Sequence, residues 1–279
     1  RRNTKNYSVK HQEFKDSLGV LSAFAVKVFW HQILEGRGRA VNNQSRVALD
    51  STPVISIILP VLNEAERINE LLSRLRAQDR DGMSEIIVVD GDPEGSTIDA
   101  IREGEAIKAT SEKGRARQMN YGASCASGDV LLFLHADTVL PDTGLSRIVK
   151  VMEDPGAVAG AFDLGIHTKR SIFRITERYV ALRTRLTRIP FGDQAIFIRR
   201  EYFEKIDGYR DIPIMEDVEL MARIKKRGDR IVIIPDKVMT SARRWEKEGV
   251  LYCTFRNWML QALYALGTPP ERLAKWYKA

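Results

Sequence analysis

Asp90, Asp92, Asp137, Glu216 and Asp217 are the residues of this 279-residue chain whose type and placement could do chemistry. The apolar run Val130 to Leu134 ends abruptly in His135, Ala136 and Asp137. Such a run suits a strand buried on both faces, and open α/β sheets bind ligands just beyond the carboxyl ends of their strands. Asp137 therefore falls where a carboxylate can meet a phosphate-bound metal ion. Asp90 and Asp92 follow a second apolar run, in a turn that also holds Gly91 and Gly95. Acidic residues favour such turns for backbone reasons alone, yet with Asp137 they describe a sheet edge lined by carboxylates. That edge suits a nucleotide whose diphosphate is bridged by Mg2+ or Mn2+, because hard cations prefer oxygen ligands and leave positions open to phosphate. Glu216 and Asp217 open a helix, where carboxylates either complement the helix dipole or take a proton from an incoming hydroxyl. Lys113, Arg115 and Arg117 precede or open another, as an anion site or as a solvated basic turn. His135 could ligate a metal or merely end its strand. Asp193 and Gln194, after Gly192 and before an apolar run, set hydrogen-bonding groups at what reads as a pocket edge.

The elements that must position these groups alternate regularly from Pro53. Val54 to Leu59 reads as a strand, followed by Asn63 as a helix cap and the stripe Ile68, Leu71, Leu72 and Leu75. Glu85 to Val89 is a second strand, with a helix opened by Ser96. Ala106 to Ala109 forms a third short strand. The small residues between Lys113 and Ala126 predict a helix packed close to the sheet or to a ligand. Leu145, Ile148, Val149 and Met152 mark the next helix. Ala157 to Ile166 and Ile231 to Ile234 read as strands, Ile172 to Leu186 as a basic helix, and Ile214, Val218, Met221 and Ile224 as the stripe of the helix that Glu216 opens. An aromatic-rich helix spans Leu251 to Leu266, beyond which Pro269-Pro270 forbids continuation. Strands alternating with helices across short turns predict an α/β fold with a central, mostly parallel sheet flanked by helices.

A formal charge of +7 favours polyanionic partners, but the basic residues are dispersed and accompany no nucleic-acid motif, so no nucleic-acid partner is expected. Residues 1–50 hold nine Lys or Arg against four acids, and Phe14, Leu18, Leu21, Ala25 and Val28 lie at helical spacing. That basic amphipathic helix either packs on the main domain or meets a membrane surface or partner. The longest uncharged apolar run there, Leu18 to Val26, is too short to span a bilayer. Cys125 and Cys253 fit no zinc or redox spacing, which suits a reducing cytoplasm, with peripheral membrane contact as the variant. The expected organisation is a basic helical extension and linker over 1–50, a catalytic domain over 51–245 and a helical extension over 246–279. The exposed aromatic C-terminal helix could pack in cis or across a homodimer.

The motifs Ile57-Ile-Leu-Pro-Val-Leu-Asn-Glu64, Val88-Val-Asp-Gly91, Leu134-His-Ala-Asp-Thr138, Gly192-Asp-Gln-Ala195 and Met215-Glu-Asp217 occur in order over residues 53 to about 245. In that order and spacing the chain resembles the family 2 glycosyltransferases of the GT-A (nucleotide-diphospho-sugar transferase) fold. With Ser241-Ala-Arg-Arg-Trp245 it is similar to a bacterial subgroup of small glycosyltransferases. The resemblance implies a metal-dependent, inverting transfer of a hexosyl or related sugar from a nucleotide-diphosphate donor to an acceptor hydroxyl, with a lipid-linked acceptor among the candidates. Pro60, Asn63 and Glu64 would lie beside the nucleoside and Asp90 would hydrogen-bond the base. Asp137, matching the last Asp of the family's Asp-X-Asp motif, would bind Mg2+ or Mn2+. Asp217, paired with Glu216, would be the catalytic base, and Asp193 and Gln194 would shape the acceptor side. Arg243, Arg244 and Trp245 would close over the diphosphate, whose charge Lys113 and Arg115 would also face. Two positions depart from the family pattern. His135 replaces the first acid of Asp-X-Asp, at the usual ribose contact, and Asp92-Pro93 replaces the more usual Gly-Ser. The His135 departure motivates the alternative of a noncatalytic nucleotide-sugar-binding protein.

Overall fold

A computed structural model describes residues 54–278 apart from 80, 81, 103 and 105. The helix read over Phe14 to Trp30 and the linker after it lie outside the described residues. The elements in order are β1 (Ile55–Val61), α1 (Ile68–Gln78), β2 (Ser84–Asp90), α2 (Ser96–Ala100), β3 (Ile107–Thr110), α3 (Arg115–Ser124), β4 (Val130–Phe133), β5 (Thr138–Val139), α4 (Gly144–Met152), β6 (Ala157–His167), α5 (Ile172–Thr187), a 3-10 turn (Gly192–Gln194), β7 (Phe197–Arg199), α6 (Arg200–Lys205), α7 (Glu216–Lys226), β8 (Arg230–Ser241), α8 (Arg243–Glu248), α9 (Val250–Ala265) and α10 (Pro270–Lys278).

One eight-stranded sheet, ordered β3-β2-β1-β4-β7-β6-β8-β5, organises them. Four strand pairings are parallel, β1 with β2 and β4, β2 with β3 and β6 with β8, while β7 and β5 run antiparallel to their neighbours. The apolar residues of β1 alternate between two cores, as a strand's twofold side-chain period requires. Ile55, Ile57 and Leu59 join α1 and α4 on one face; Ile58 joins α3, α6 and α7 on the other. The small residues of α3 serve the sheet: a Cβ on Gly122 would lie 2.5 Å from Ile58, so only glycine lets that helix sit so close.

Four expectations change. Asn63 does not cap α1, which starts at Ile68; it adopts a left-handed φ of 58° in the turn before it. β8 runs through Pro235 to Ser241, because a bulge between its pairings with Phe162 and Asp163 lets the proline pass without a ladder hydrogen bond. α9 ends at Ala265, before Pro269-Pro270 as expected, but Pro270 also opens a helix that the sequence did not single out: it occupies the first position of α10, where a missing N–H costs no hydrogen bond. In α7 the buried apolar residues are Leu220, Met221 and Ile224, joined by Glu216 and Glu219, while Val218 is only half-buried.

Topology brings the chemical residues together. β1, β2 and β4 are parallel, so the residues after Val61, Asp90 and Phe133 emerge at one sheet edge. β7 is antiparallel to β4, so its leading turn, Gly192–Gln194, starts from that same edge. β6 and β8 run parallel to each other and antiparallel to β7, which returns Ser241 and α8 there. α7 must descend from that edge to deliver β8 to the opposite one, so Glu216 and Asp217 also stand on it.

Candidate functional site

Asp137 is exposed just beyond β4, and His135 is half-buried behind it. The His135 imidazole is held neutral, its pKa pushed down to about 3 by burial and by the charges of Arg115 and Arg244. Across the cleft, Asp217 accepts a 2.6 Å hydrogen bond from the Gly192 amide and a 2.7 Å bond from the Val218 amide. A Cβ at Gly192 would stand 2.8 Å from His135 Nε2 and 3.4 Å from Asp217 Oδ2, so the absence of a side chain there lets the β4 end, the 3-10 turn and α7 meet. Glu216, 5% exposed, lies with its Oε1 3.9 Å from Arg115. Burial, then the neighbouring Asp217, push its pKa up to about 7 against the pull of Arg115. Asp217 is the more open of the two carboxylates.

Asp193 sits between these groups. Its pKa is pushed up from 3.8 to about 6 by burial, opposed by Arg183 and reinforced by Asp217 and Asp137. Its Oδ1 is buried without a hydrogen-bond partner. Glu64 belongs to the same field, raised by burial with Arg67 opposing and Asp137 adding to the rise. Strain marks the frame, since Asn63, Ala195 and Met215 all take left-handed φ values of 51° to 67° beside site residues.

Three expected contacts come out differently. Asp90 is fully buried and accepts the amides of Asp92 at 3.0 Å and Thr97 at 2.9 Å, so it builds the β2–α2 turn and does not open to a base. Gln194 is also fully buried: its Oε1 accepts from Arg183, Thr184 and the Phe191 amide and its Nε2 donates to the Phe162 carbonyl, so it supports the acceptor-side turn from behind. Trp245 packs edge-on against Phe173 within a satellite core.

The remaining expected residues are dispersed around the rim. Pro60 is half-buried at the end of β1, and Lys113 is exposed before α3. Arg115 faces the cleft, whereas Arg117 pairs with Glu112 and Asp211 on the surface. Arg243 bonds Ser241, and Arg244 bonds the Tyr277 hydroxyl of α10 with its guanidinium 5.4 Å from that ring.

Two residues that the sequence did not single out complete the frame. Gln118 of α3 donates to the Val61 and Val89 carbonyls at 2.7 and 2.8 Å, clamping the ends of β1 and β2. Arg183 of α5, 6% exposed, stacks 3.5 Å from the Phe191 ring centre and places a buried cation behind Asp193. A glutamine among the small residues of α3 was the visible signal for the first; Arg183 had none.

A protein-built metal cage is absent: no three His, Cys, Asp or Glu among the described residues form one. The donor set instead fits an octahedral hard cation that takes one or two carboxylates and completes its shell with water and substrate phosphate. Asp137 is open to it, and the unpartnered Oδ1 of Asp193 shares its field.

The raised Asp193 value has a measurable consequence. Because the folded state holds that proton more tightly than the unfolded chain, the stabilisation is complete below about pH 4 and lost as pH rises through about 6. Asp193→Asn, neutral throughout, should melt higher than wild type near pH 8 and lose that advantage near pH 4. Equal gaps at both ends would refute the assignment.

The family model described as Glycosyl transferase family 2 matches residues 56–207, more than half of the chain. Over 111 residues the chain is 30% identical to the dolichol-phosphate mannosyltransferase of Pyrococcus furiosus, covering 38% of this chain and 32% of that protein. Over 248 residues it is 26% identical to the probable glycosyltransferase YdaM of Bacillus subtilis, covering 77% of this chain and 55% of that one. The chain thus spans a third to about half the length of these relatives. In fold it is similar to the mannosyltransferase PcManGT from Pyrobaculum calidifontis in complex with GDP-Man and Mn2+, with TM-score 0.61 and 22% identity over 90% of this chain and 76% of that one.

Proposed function

The chain belongs to glycosyl transferase family 2, and from that premise we propose that it transfers a sugar, with inversion, from a nucleotide-diphosphate donor to an acceptor hydroxyl. The observation that carries this reading is the meeting of Asp137, Asp193 and Asp217 with His135 and Arg115 at one sheet edge. The donor nucleoside lies against Pro60, Asn63 and Glu64, in a wall braced by the 3.2 Å bond from the Glu64 amide to Thr97. Asp217, oriented by the Gly192 amide, takes the proton of the acceptor hydroxyl. That oxygen attacks the anomeric carbon as the bond to the donor diphosphate breaks, and the electron pair leaves on the diphosphate. Arg115 and Arg244, whose fields reach His135, offset the charge that develops there. Asp137, with donor phosphate, would hold Mg2+ or Mn2+, which when bound neutralises diphosphate charge. The domain is drawn at 51–245. The lipid acceptor in the name of the archaeal relative supports a lipid-linked acceptor.

The experiment is an assay of nucleoside diphosphate release over a panel of nucleotide sugars with Mn2+, with calorimetry in parallel. Release that grows with an added acceptor is expected. Binding without release for every acceptor would favour the noncatalytic binder that the His135 substitution suggests.

A further inference from the structure

α5 and α9 lie side by side and carry apolar residues on their outer surface. Tyr179 and Trp258 stack with ring centres 4.5 Å apart, and one turn on Arg183 donates to Gln261 at 3.4 Å. Both helices therefore advance in the same direction, joined through Tyr179–Trp258 and Arg183–Gln261. On that surface Ile175 is 64% exposed, Leu182 60%, Leu186 52%, Tyr252 42%, Phe255 37% and Trp258 42%.

The exposed charges carried by these two helices have one sign. The acid in α5, Glu177, is buried, and α9 holds no acid, its one cation Arg256 being buried and paired with Glu248. Arg178 is exposed and makes no ion pair among the described residues. Arg178 lies three residues after Ile175 and four before Leu182, hence on the same helix face.

We propose that the α5–α9 face docks peripherally on an anionic lipid surface. Apolar side chains beside the exposed arginines of α5, Arg178 unpaired among them, are what an interface of headgroups and acyl chains accommodates. A second copy on the same face would set the cations of one protomer against those of the other, since a twofold contact repeats the patch. No described helix is long and apolar enough to cross a membrane, so the contact lies in the surface plane. The inward side of α5 carries Arg183, which bonds Gln194 of the acceptor-side turn. Docking thus holds that turn about one helix diameter, roughly 10 Å, from the lipid surface. This inference stands on the surface alone and does not depend on the proposed transfer reaction.

The test is co-sedimentation of the full chain with phosphatidylcholine vesicles, with and without phosphatidylglycerol. Wild type should bind the mixed vesicles and lose binding as salt rises. Ile175→Ser/Leu182→Ser/Leu186→Ser should lower partitioning at least about tenfold with an unchanged melting profile, because every altered residue is more than half exposed. Arg178→Glu should do so only on the mixed vesicles. Wild-type partitioning by the triple variant would overturn the proposal, since binding would then reside elsewhere, residues 1–50 included. A wild-type dimer that the triple variant converts to monomer, without vesicle binding by either, would also overturn it and assign the face to a second copy.

Discussion

Asp217→Asn should lower the rate of sugar transfer roughly 10²- to 10⁴-fold while leaving donor affinity within about twofold. The substitution separates chemistry from architecture. An asparagine retains one oxygen to accept the Gly192 amide, now at 2.6 Å, and so keeps the 3-10 turn docked on α7 while giving up only the bond from the Val218 amide. It lacks the carboxylate that could remove a proton. Glu216 is the competing base, but it is 5% exposed, faces Arg115, and has a pKa pushed up to about 7 by burial and by Asp217. A group so placed takes little part in direct contact with an acceptor; it sets the field that Asp217 feels. Glu216→Gln should therefore move the pH dependence of turnover more than its maximum. Single-turnover kinetics with saturating donor, plus calorimetry, make both measurements. Full turnover by Asp217→Asn would sink the assignment, and a larger loss in Glu216→Gln would reverse the two roles.

The edge on which these residues meet was legible in the sequence because each supporting strand announces its own end. Leu134 gives way to His135, and Val89 to Asp90, so the run of apolar residues marks both the strand and the place where its ligand edge begins. What a carboxylate does there was less legible. A turn-building aspartate and a ligand-binding one have the same type at the same place, and Asp90 proved to serve two backbone amides while Asp137 stayed open. Arginines illustrate a second limit. α5 contains Arg174, Arg178, Arg183 and Arg185, and nothing local distinguishes the one that turns inward. Arg183 is selected by Phe191 and Gln194, in the loop beyond the helix, and by Gln261 of a later helix. Prolines illustrate a third, since Pro235 in a bulge and Pro270 at a helix start read locally as stops.

Gln194→Ala should have the largest effect on stability, lowering the melting midpoint by roughly 10 °C. The side chain joins three elements at one point. Its Oε1 accepts from the Arg183 guanidinium and the Thr184 hydroxyl at 3.2 Å each and from the Phe191 amide at 3.1 Å, and its Nε2 donates to the Phe162 carbonyl at 2.9 Å. Truncation leaves three donors and one acceptor buried, and each such orphan costs about 1–3 kcal/mol before the site relaxes. Water entering the gap offsets part of that, so a net loss of about 3–5 kcal/mol is the expectation. Arg183 raises the stakes, because a buried cation left with only Thr184 and Gln261 as acceptors is the costliest of the four. Gln194→Glu gives the cation a carboxylate but faces the Phe162 carbonyl with an oxygen, so it should melt between alanine and wild type. A midpoint for Gln194→Ala within about 2 °C of wild type would show that the turn is held by Gly192 and Asp217 alone. If the melt falls as expected, turnover measured well below the transition should fall as well, because the same turn carries the amide that orients Asp217 and the carboxylate of Asp193.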